Sequence, residues 1–328
     1  MKSFVDPAVE FHVLTGYLGS GKTTVLRHYL AQTPENETAV IINEYGAVSL
    51  DHRFVMHAAP VVDVVAGGCL CCARSTELKE AIVRVLAQRV AKRLPGLRRI
   101  ILETSGLANP ASIVATVLDD FVLKEYVRMG SCVATVDATD AIECAQRQPD
   151  IAAQIAAADR VVVTKLDLVE PGRAREIRKF VESVNPTCEV VESAHGAAVG
   201  GVFDAVPPTR PRARAATGAS HLAHASSHAM TLEQDIDWPA FSVWLTALLN
   251  RHGSRILRFK SLLRMAGDDT PTAIHGVRHR MYPPEHLPPG TPAAAGSELV
   301  FITDGLPGAQ IEESLQRFLR YARDATAR

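Results

Sequence analysis

Gly16-Tyr17-Leu18-Gly19-Ser20-Gly21-Lys22-Thr23 is the stretch on which the fold turns. It has the pattern G-x-x-x-x-G-K-[ST], follows the apolar run Phe11 to Leu14, and precedes a helix-like stretch. Strand, glycine-rich loop and helix form the setting in which that pattern has a physical meaning. The glycines let successive backbone N–H groups turn inward around phosphate oxygens, and the N-terminus of the next helix adds a positive dipole. Gly16, Gly19, Ser20, Gly21, Lys22, Thr23 and Thr24 are therefore the expected nucleotide-binding residues. Lys22 is expected to reach the β and γ phosphates and to act in catalysis, with the Thr23 hydroxyl on Mg²⁺. The stretch predicts a nucleoside-triphosphate site.

Outward from the loop, short apolar runs alternate with helical patterns over the first two hundred residues. Ala39 to Ile42, Val61 to Val65, Ile100 to Leu102, Cys132 to Val136 and Val161 to Val163 read as further buried strands. In STELKEAIVRVLAQRVAKRL the apolar positions Leu78, Ile82, Val85, Leu86, Val90 and Leu94 recur three or four apart, which predicts a helix with one buried face. Ser75 or Thr76 is the expected cap, and Glu77 suits the first turn. Continuous apolar strands alternating with helices predict an α/β fold: a P-loop NTPase with a mostly parallel sheet and helices on both faces.

Two further strand ends carry chemistry. Arg99-Ile100-Ile101-Leu102-Glu103 closes on an acid and runs into Thr104-Ser105-Gly106. A carboxylate there, beside the phosphate loop, suits a Mg²⁺ contact or the placing of water, so Glu103 joins Lys22 as a candidate catalytic residue and Thr23 as a magnesium residue. The commoner residue at such a position is Asp. Val161-Val162-Val163 leads into Thr164-Lys165-Leu166-Asp167. Asp167 can accept hydrogen bonds from N1–H and the 2-amino group of guanine, and the Lys165 stem can pack over the base. Adenine has the opposite donor pattern at N1, so GTP is the expected nucleotide. Thr164 replaces the more common Asn, and Ser193-Ala194 is a further candidate for backbone contacts to the base.

Gly67-Gly68-Cys69-Leu70-Cys71-Cys72 ends the apolar run VVDVV. Three thiolates this close can share one soft or borderline cation and leave a fourth position open. Packing as small apolar groups and redox chemistry are the alternatives for the triplet. Cys132, Cys144 and Cys188 are isolated and read as packing residues.

The length of 328 residues fits roughly two domains of about 150. Hydrophobic residues make up 47% and charged residues 22%, enough for a sizeable core. With 35 Lys plus Arg against 36 Asp plus Glu, the net charge of -1 provides no basic excess to neutralise nucleic-acid phosphates. No apolar run approaches the roughly 18 residues of a membrane span, and MKSFVDPAVEFHV lacks a signal peptide's order, so a cytoplasmic protein is expected. From Ala205 to Leu232 there is no acid, and PPTRPRARAATGASHLAHASSHAM is rich in Pro, Ala, Ser, Arg and His and poor in large apolar residues. That composition predicts a P-loop domain over 1–204, a flexible linker over 205–232 and a smaller α+β domain over 233–328. WPAFSVWLTALLNRHG and IEESLQRFLRYARDA read as helices of this last domain, and RILRFKSLLRMAG, TAIHGVRHRMYP and ELVFITDG as its strands.

Taken in order, GYLGSGKTT, Asn43-Glu44-Tyr45-Gly46 with Asp51, GGCLCC, ETSGLANP, Val136-Asp137-Ala138 and TKLD resemble the CobW-type metallochaperone GTPases. The resemblance extends to ILRFKSLL and HGVRHRMYPP and so covers nearly the whole chain. It implies that Cys69, Cys71 and Cys72 bind zinc, cobalt or a similar divalent ion beside a Mg·GTP site, with Glu44 and Asp51 in a switch segment that senses the γ-phosphate. It implies slow GTP hydrolysis that controls delivery of the ion to a client metalloprotein, with a homodimer left open. A metal-sensing regulatory GTPase that acts through partner binding, without stoichiometric transfer, is the other reading. Ala47 stands where the family usually has an acid, and Arg258-Phe259-Lys260-Ser261 lacks the family's usual glycine. His221, His224 and His228 are spaced to meet on one helical turn, whereas His275, His279 and His286 are expected to shape a C-terminal surface.

Overall fold

The apolar runs of the first two hundred residues become the strands of one parallel sheet. The protein is seen in a computed structural model that describes residues 8–34, 36–44, 62–66, 75–194, 199–205, 225–288 and 296–326. The chain runs β1 (Val9–Gly16), α1 (Lys22–Leu30), β2 (Thr38–Glu44), β3 (Val62–Ala66), α2 (Ser75–Val90), β4 (Arg99–Glu103), α3 (Pro110–Asp119) and α4 (Leu123–Tyr126). It continues through β5 (Val127–Asp137), α5 (Ala141–Ala145), α6 (Pro149–Ala157), β6 (Arg160–Thr164), α7 (Pro171–Val184) and β7 (Glu189–Glu192). The strand order is β3-β2-β4-β1-β5-β6-β7, with neighbours parallel.

Successive residues of a strand face opposite sides, and that alternation divides the core into two layers. Val13, Ile41, Ile100 and Leu102 pack on one face with Leu78, Ile82 and Val85 of α2 and Ile113 of α3. Leu14, Ile42 and Ile101 pack on the other with Val25, Leu26 and Tyr29 of α1 and Phe203. Both faces are covered, so the strands read as unbroken apolar runs. The apolar face expected of α2 holds except at Val90, which is 82% exposed. The helix ends at that residue, and Leu94 is buried from the turn beyond it.

A second unit follows. The chain divides into compact units of 1–181 with 188–206, and 182–187 with 207–328. The second contains β8 (Ala225–Leu232), α8 (Trp238–His252), β9 (Ile256–Leu263), β10 (Thr272–Val277), β11 (Arg280–Met281), β12 (Glu285–His286), β13 (Ser297–Asp304) and α9 (Gly308–Thr326). Its antiparallel sheet has the order β11-β10-β9-β13-β8, with β12 beside β10. Phe241, Trp244 and Leu248 of α8 pack with Ile311 and Leu315 of α9 onto Phe259 and Phe301 of the sheet. Asp237 caps α8 by accepting the Ala240 N–H at 2.8 Å.

The expected linker is corrected here. Of residues 205–232, 206–224 lie outside the described residues, but Ala225–Leu232 form β8, paired along its length with β13. An edge strand has one neighbour, and the large apolar residues come from that neighbour, Leu299 to Ile302. Small residues interrupted by Met230 and Leu232 are then enough to form it. His228 accordingly lies in a strand, not on a helical turn, with Nε2 2.9 Å from Glu312 Oε2 of α9. His221 and His224 lie outside the described residues. Among the described residues, no helix is long and apolar enough to cross a membrane.

Candidate functional site

The phosphate loop spans the turn from β1 to α1. Gly16 has φ +141°, and a Cβ there would stand 2.2 Å from Thr135 Oγ1, so the loop can leave the sheet at this point only with glycine. Ser20, 2% exposed, lies beneath the loop with its Oγ 2.6 Å from Thr135 Oγ1. α1 opens on Gly21, which offers no side-chain cap, and has no acid in its first turn. Its first N–H groups and its positive dipole end are therefore directed to an anion from outside the helix. Lys22 Nζ donates to the carbonyl oxygens of Gly16 at 2.9 Å and Tyr17 at 3.2 Å, which arches the ammonium back over the loop.

Thr23 and Glu103 meet. The Thr23 hydroxyl donates to Glu103 Oε1 at 2.6 Å, across the junction of α1 and β4. Glu103 is 6% exposed at the end of its strand. A hydroxyl and a buried carboxylate side by side are the hard oxygen donors that suit Mg²⁺. They border a cleft of 240 Å³ that is also lined by Gly19, Gly21, Lys22 and Thr24. Arg27, one turn beyond Thr23, stands on its rim beside Ile42 and Asn43 at the end of β2. Sequence reasoning did not single out Arg27, although its spacing of four from Thr23 puts it on the same helix face.

The segment that follows β6 is joined to the same loop. Thr164 Oγ1 donates to the Ser20 carbonyl at 2.8 Å and approaches the Val136 carbonyl at 3.2 Å. This gives a physical reason for Thr in place of Asn, since a buried hydroxyl suffices to tie β6 to the phosphate loop. Lys165 turns into the left-handed region at φ 59°, and its Nζ donates to Asp137 Oδ2 at 2.6 Å. Asp137, at the end of β5, also accepts from the Thr139 N–H and hydroxyl at 2.9 and 2.7 Å. It fixes the Lys165 stem, and the signal for it was the one that marked Glu103, an acid closing an apolar strand. Asp167 is exposed in the short turn Leu166–Leu168. The Ser193 N–H is engaged by the Val163 carbonyl at 2.8 Å. Thr164→Val should weaken nucleotide binding about two- to tenfold, the worth of one buried hydrogen bond. Titration with a fluorescent GTP analogue measures it, and an unchanged affinity would show that the tie does not reach the site.

Asp51, Cys69, Cys71 and Cys72 lie outside the described residues, and Glu44 is described only as the last backbone position of β2. Among the described residues no group of three His, Cys, Asp or Glu is arranged to hold a metal ion. Cys132 is buried, in keeping with packing. Burial, and then the hydrogen bond to Asp140 at 3.3 Å, push the Cys144 thiol up from its ordinary range and disfavour the thiolate. In the second unit, His279 Nδ1 bonds the Leu249 carbonyl at 2.8 Å and His286 Nδ1 is 3.1 Å from Thr272 Oγ1, so both rings are engaged locally.

Fold and cleft together define a P-loop nucleotide-binding protein with an appended α+β unit. The chain belongs to the CobW/HypB/UreG family: residues 10–192 match its nucleotide-binding domain, and residues 225–319 match the cobalamin synthesis protein CobW C-terminal domain. It is similar to the zinc chaperone YjiA of Escherichia coli strain K12, with 30% identity over 308 residues, 91% of this chain and 95% of that protein. Zinc-regulated GTPase metalloprotein activator 1 of Schizosaccharomyces pombe is 27% identical over 201 residues, 59% of this chain but 47% of the fungal protein. Among solved structures, Zn(II)-bound YjiA GTPase from E. coli shares the fold with a TM-score of 0.70 at 23% identity, covering 95% of this chain and 99% of that one.

Proposed function

We propose that this member of the metallochaperone GTPases carries a divalent ion, zinc or cobalt, on Cys69, Cys71 and Cys72 and releases it to a client metalloprotein when GTP is hydrolysed. The observation that supports this reading is the register of the parallel sheet. Glu44 pairs with Ala66, Ile42 with Glu103, and Leu14 with Glu103. β2 and β3 end level, and β1 and β2 each run two residues past the end of β4, so the chain leaves β3 toward its cysteines at the same end of the sheet from which the phosphate loop departs. Three strand spacings separate β3 from β1, roughly 14 Å. β2 lies between them, next to β3, and runs into Glu44 and the segment that follows it.

In this reading Lys22 and the N–H groups of the loop hold the β and γ phosphates, and Thr23 and Glu103 hold Mg²⁺. Bound there, Mg²⁺ neutralises charge that develops between the β and γ phosphates. The segment after β2, with Glu44 and Asp51, is ordered by the γ-phosphate and loosens when it leaves. That change alters the geometry of the thiolates and with it their affinity for the ion. The zinc handling named for the bacterial and fungal relatives favours zinc as the cargo. Metal release to a chromophoric chelator, followed alongside phosphate release, tests the cycle. Release in step with hydrolysis is expected, and an ion retained through many turnovers would refute delivery.

GTP is selected by Asp167, whose carboxylate pairs with two donors of guanine. Asp167→Asn should cost about 1.5–3 kcal/mol of GTP binding, a loss of at least about tenfold, and should favour xanthine nucleotides, which carry an acceptor at the 2-position. Competition between GTP, ATP and XTP measures this. Equal affinity of the natural protein for ATP and GTP would remove the assignment.

A further inference from the structure

We propose that Gln154 is a positioning residue for GTP hydrolysis, a buried amide that holds segment 104–109 against the phosphate loop. It lies on α6, whose other buried residues are apolar: Ile151, Ala152, Ile155, Ala156 and Ala157. Gln154 is 2% exposed, and a buried amide there is costly unless it is hydrogen-bonded. Its Nε2 donates to the Gly106 carbonyl at 3.0 Å and the Ala108 carbonyl at 3.3 Å. Neither carbonyl belongs to a helix or strand, so the amide serves a loop that has no ladder of its own.

That loop lines the nucleotide cleft through Thr104, Ser105 and Gly106, directly after Glu103. Its two ends are fixed otherwise. The Thr104 N–H donates to the Leu14 carbonyl at 2.9 Å, and Asn109 caps α3 by accepting the Ala111 N–H at 3.0 Å. Between these ends Gly106 is pressed on the phosphate loop: a Cβ there would stand 2.6 Å from Leu18 N. Gly106 thus has the phosphate loop on one side and Gln154 bonded to its carbonyl. Without the amide the middle of the loop is tied at neither carbonyl, while the Thr23–Glu103 pair and the phosphate loop keep their own contacts. The loss should therefore fall on the step that needs the γ-phosphate and its surroundings in register, not on holding GDP.

This inference rests on the GTPase reading, and its test is built to separate the two. Gln154→Met keeps the unbranched shape and removes both donors, and Gln154→Glu sets a carboxylate against two carbonyls. For Gln154→Met we expect kcat to fall about tenfold, with KM and GDP affinity within about twofold of the natural protein. Amide hydrogen exchange of residues 104–109 in nucleotide-free protein should become faster. Gln154→Glu should be more severe, and if it does not fold, Gln154→Met alone decides. A natural kcat in Gln154→Met, or a fall in kcat matched by loss of GDP affinity and of Tm, would overturn the proposal. If the natural protein did not hydrolyse GTP, the GTPase reading would fall by itself. The exchange measurement would still decide the latch, and unchanged exchange in 104–109 would overturn it.

Discussion

Lys22→Ala is expected to abolish GTP turnover, with kcat reduced by at least about a hundredfold, and to weaken triphosphate binding more than diphosphate binding. The ammonium is the fixed positive charge of the loop, held above it by the carbonyls of Gly16 and Tyr17. A preorganised donor of this kind, aimed at developing charge, accounts for about 10²–10³ in rate when it is removed from comparable sites. The Tm of the variant, measured alongside, separates loss of this charge from loss of the fold. Lys22→Arg should not restore the rate, because a planar guanidinium cannot occupy the arch of a compact ammonium. Phosphate-release kinetics at saturating Mg·GTP provide the measurement. A Lys22→Ala protein that turns over at the natural rate would end the phosphate-loop assignment.

The second large effect concerns the thiolates. Replacing Cys71 and Cys72 by serine should lower zinc affinity on the order of a thousandfold, given that thiolate and imidazole sites bind zinc with about 10–16 kcal/mol in total. GTP affinity in metal-free buffer should stay within about twofold. If the two sites are coupled as proposed, the natural protein should bind zinc more tightly with a non-hydrolysable GTP analogue than with GDP. Typical coupling is about 1–3 kcal/mol, and zinc must then tighten the GTP analogue by the same factor. Because a thiol loses its proton on ligation, affinity should rise with pH through the thiol range. Titration against a chromophoric chelator in both nucleotide states reads all three quantities. Identical zinc affinities in the two states would leave a metal-binding GTPase without nucleotide control.

Much of the nucleotide half was legible because its signals are local. Six apolar runs named strands, and five lie wholly within a strand of the sheet, while of Val61 to Val65 residues 62–65 lie in β3 and Val61 falls outside the described residues; a strand buried on both faces must be apolar throughout. Glycine at position 16, Lys22 and Thr23 act within one turn of chain, so their spacing carries their geometry. β8 was missed because an edge strand of Ala, Ser and His borrows its apolar partner from β13, some seventy residues away. The pairing of Thr23 with Glu103 crosses 80 positions and that of Gln154 with Gly106 crosses 48. A glutamine inside an amphipathic helix carries no local mark of what it will bond. The strand order, with β4 inserted between β2 and β1, likewise depends on contacts no short window contains.

β3 stands at the margin of its sheet, bonded to β2 alone among the described strands. β3 has only that one register to respect among the described strands. A change in β3 therefore disturbs one pairing, whereas β1, β4 and β5 occupy the middle of the sheet with two neighbours each. Substitutions should then be tolerated more readily in β3 than in β1, β4 or β5.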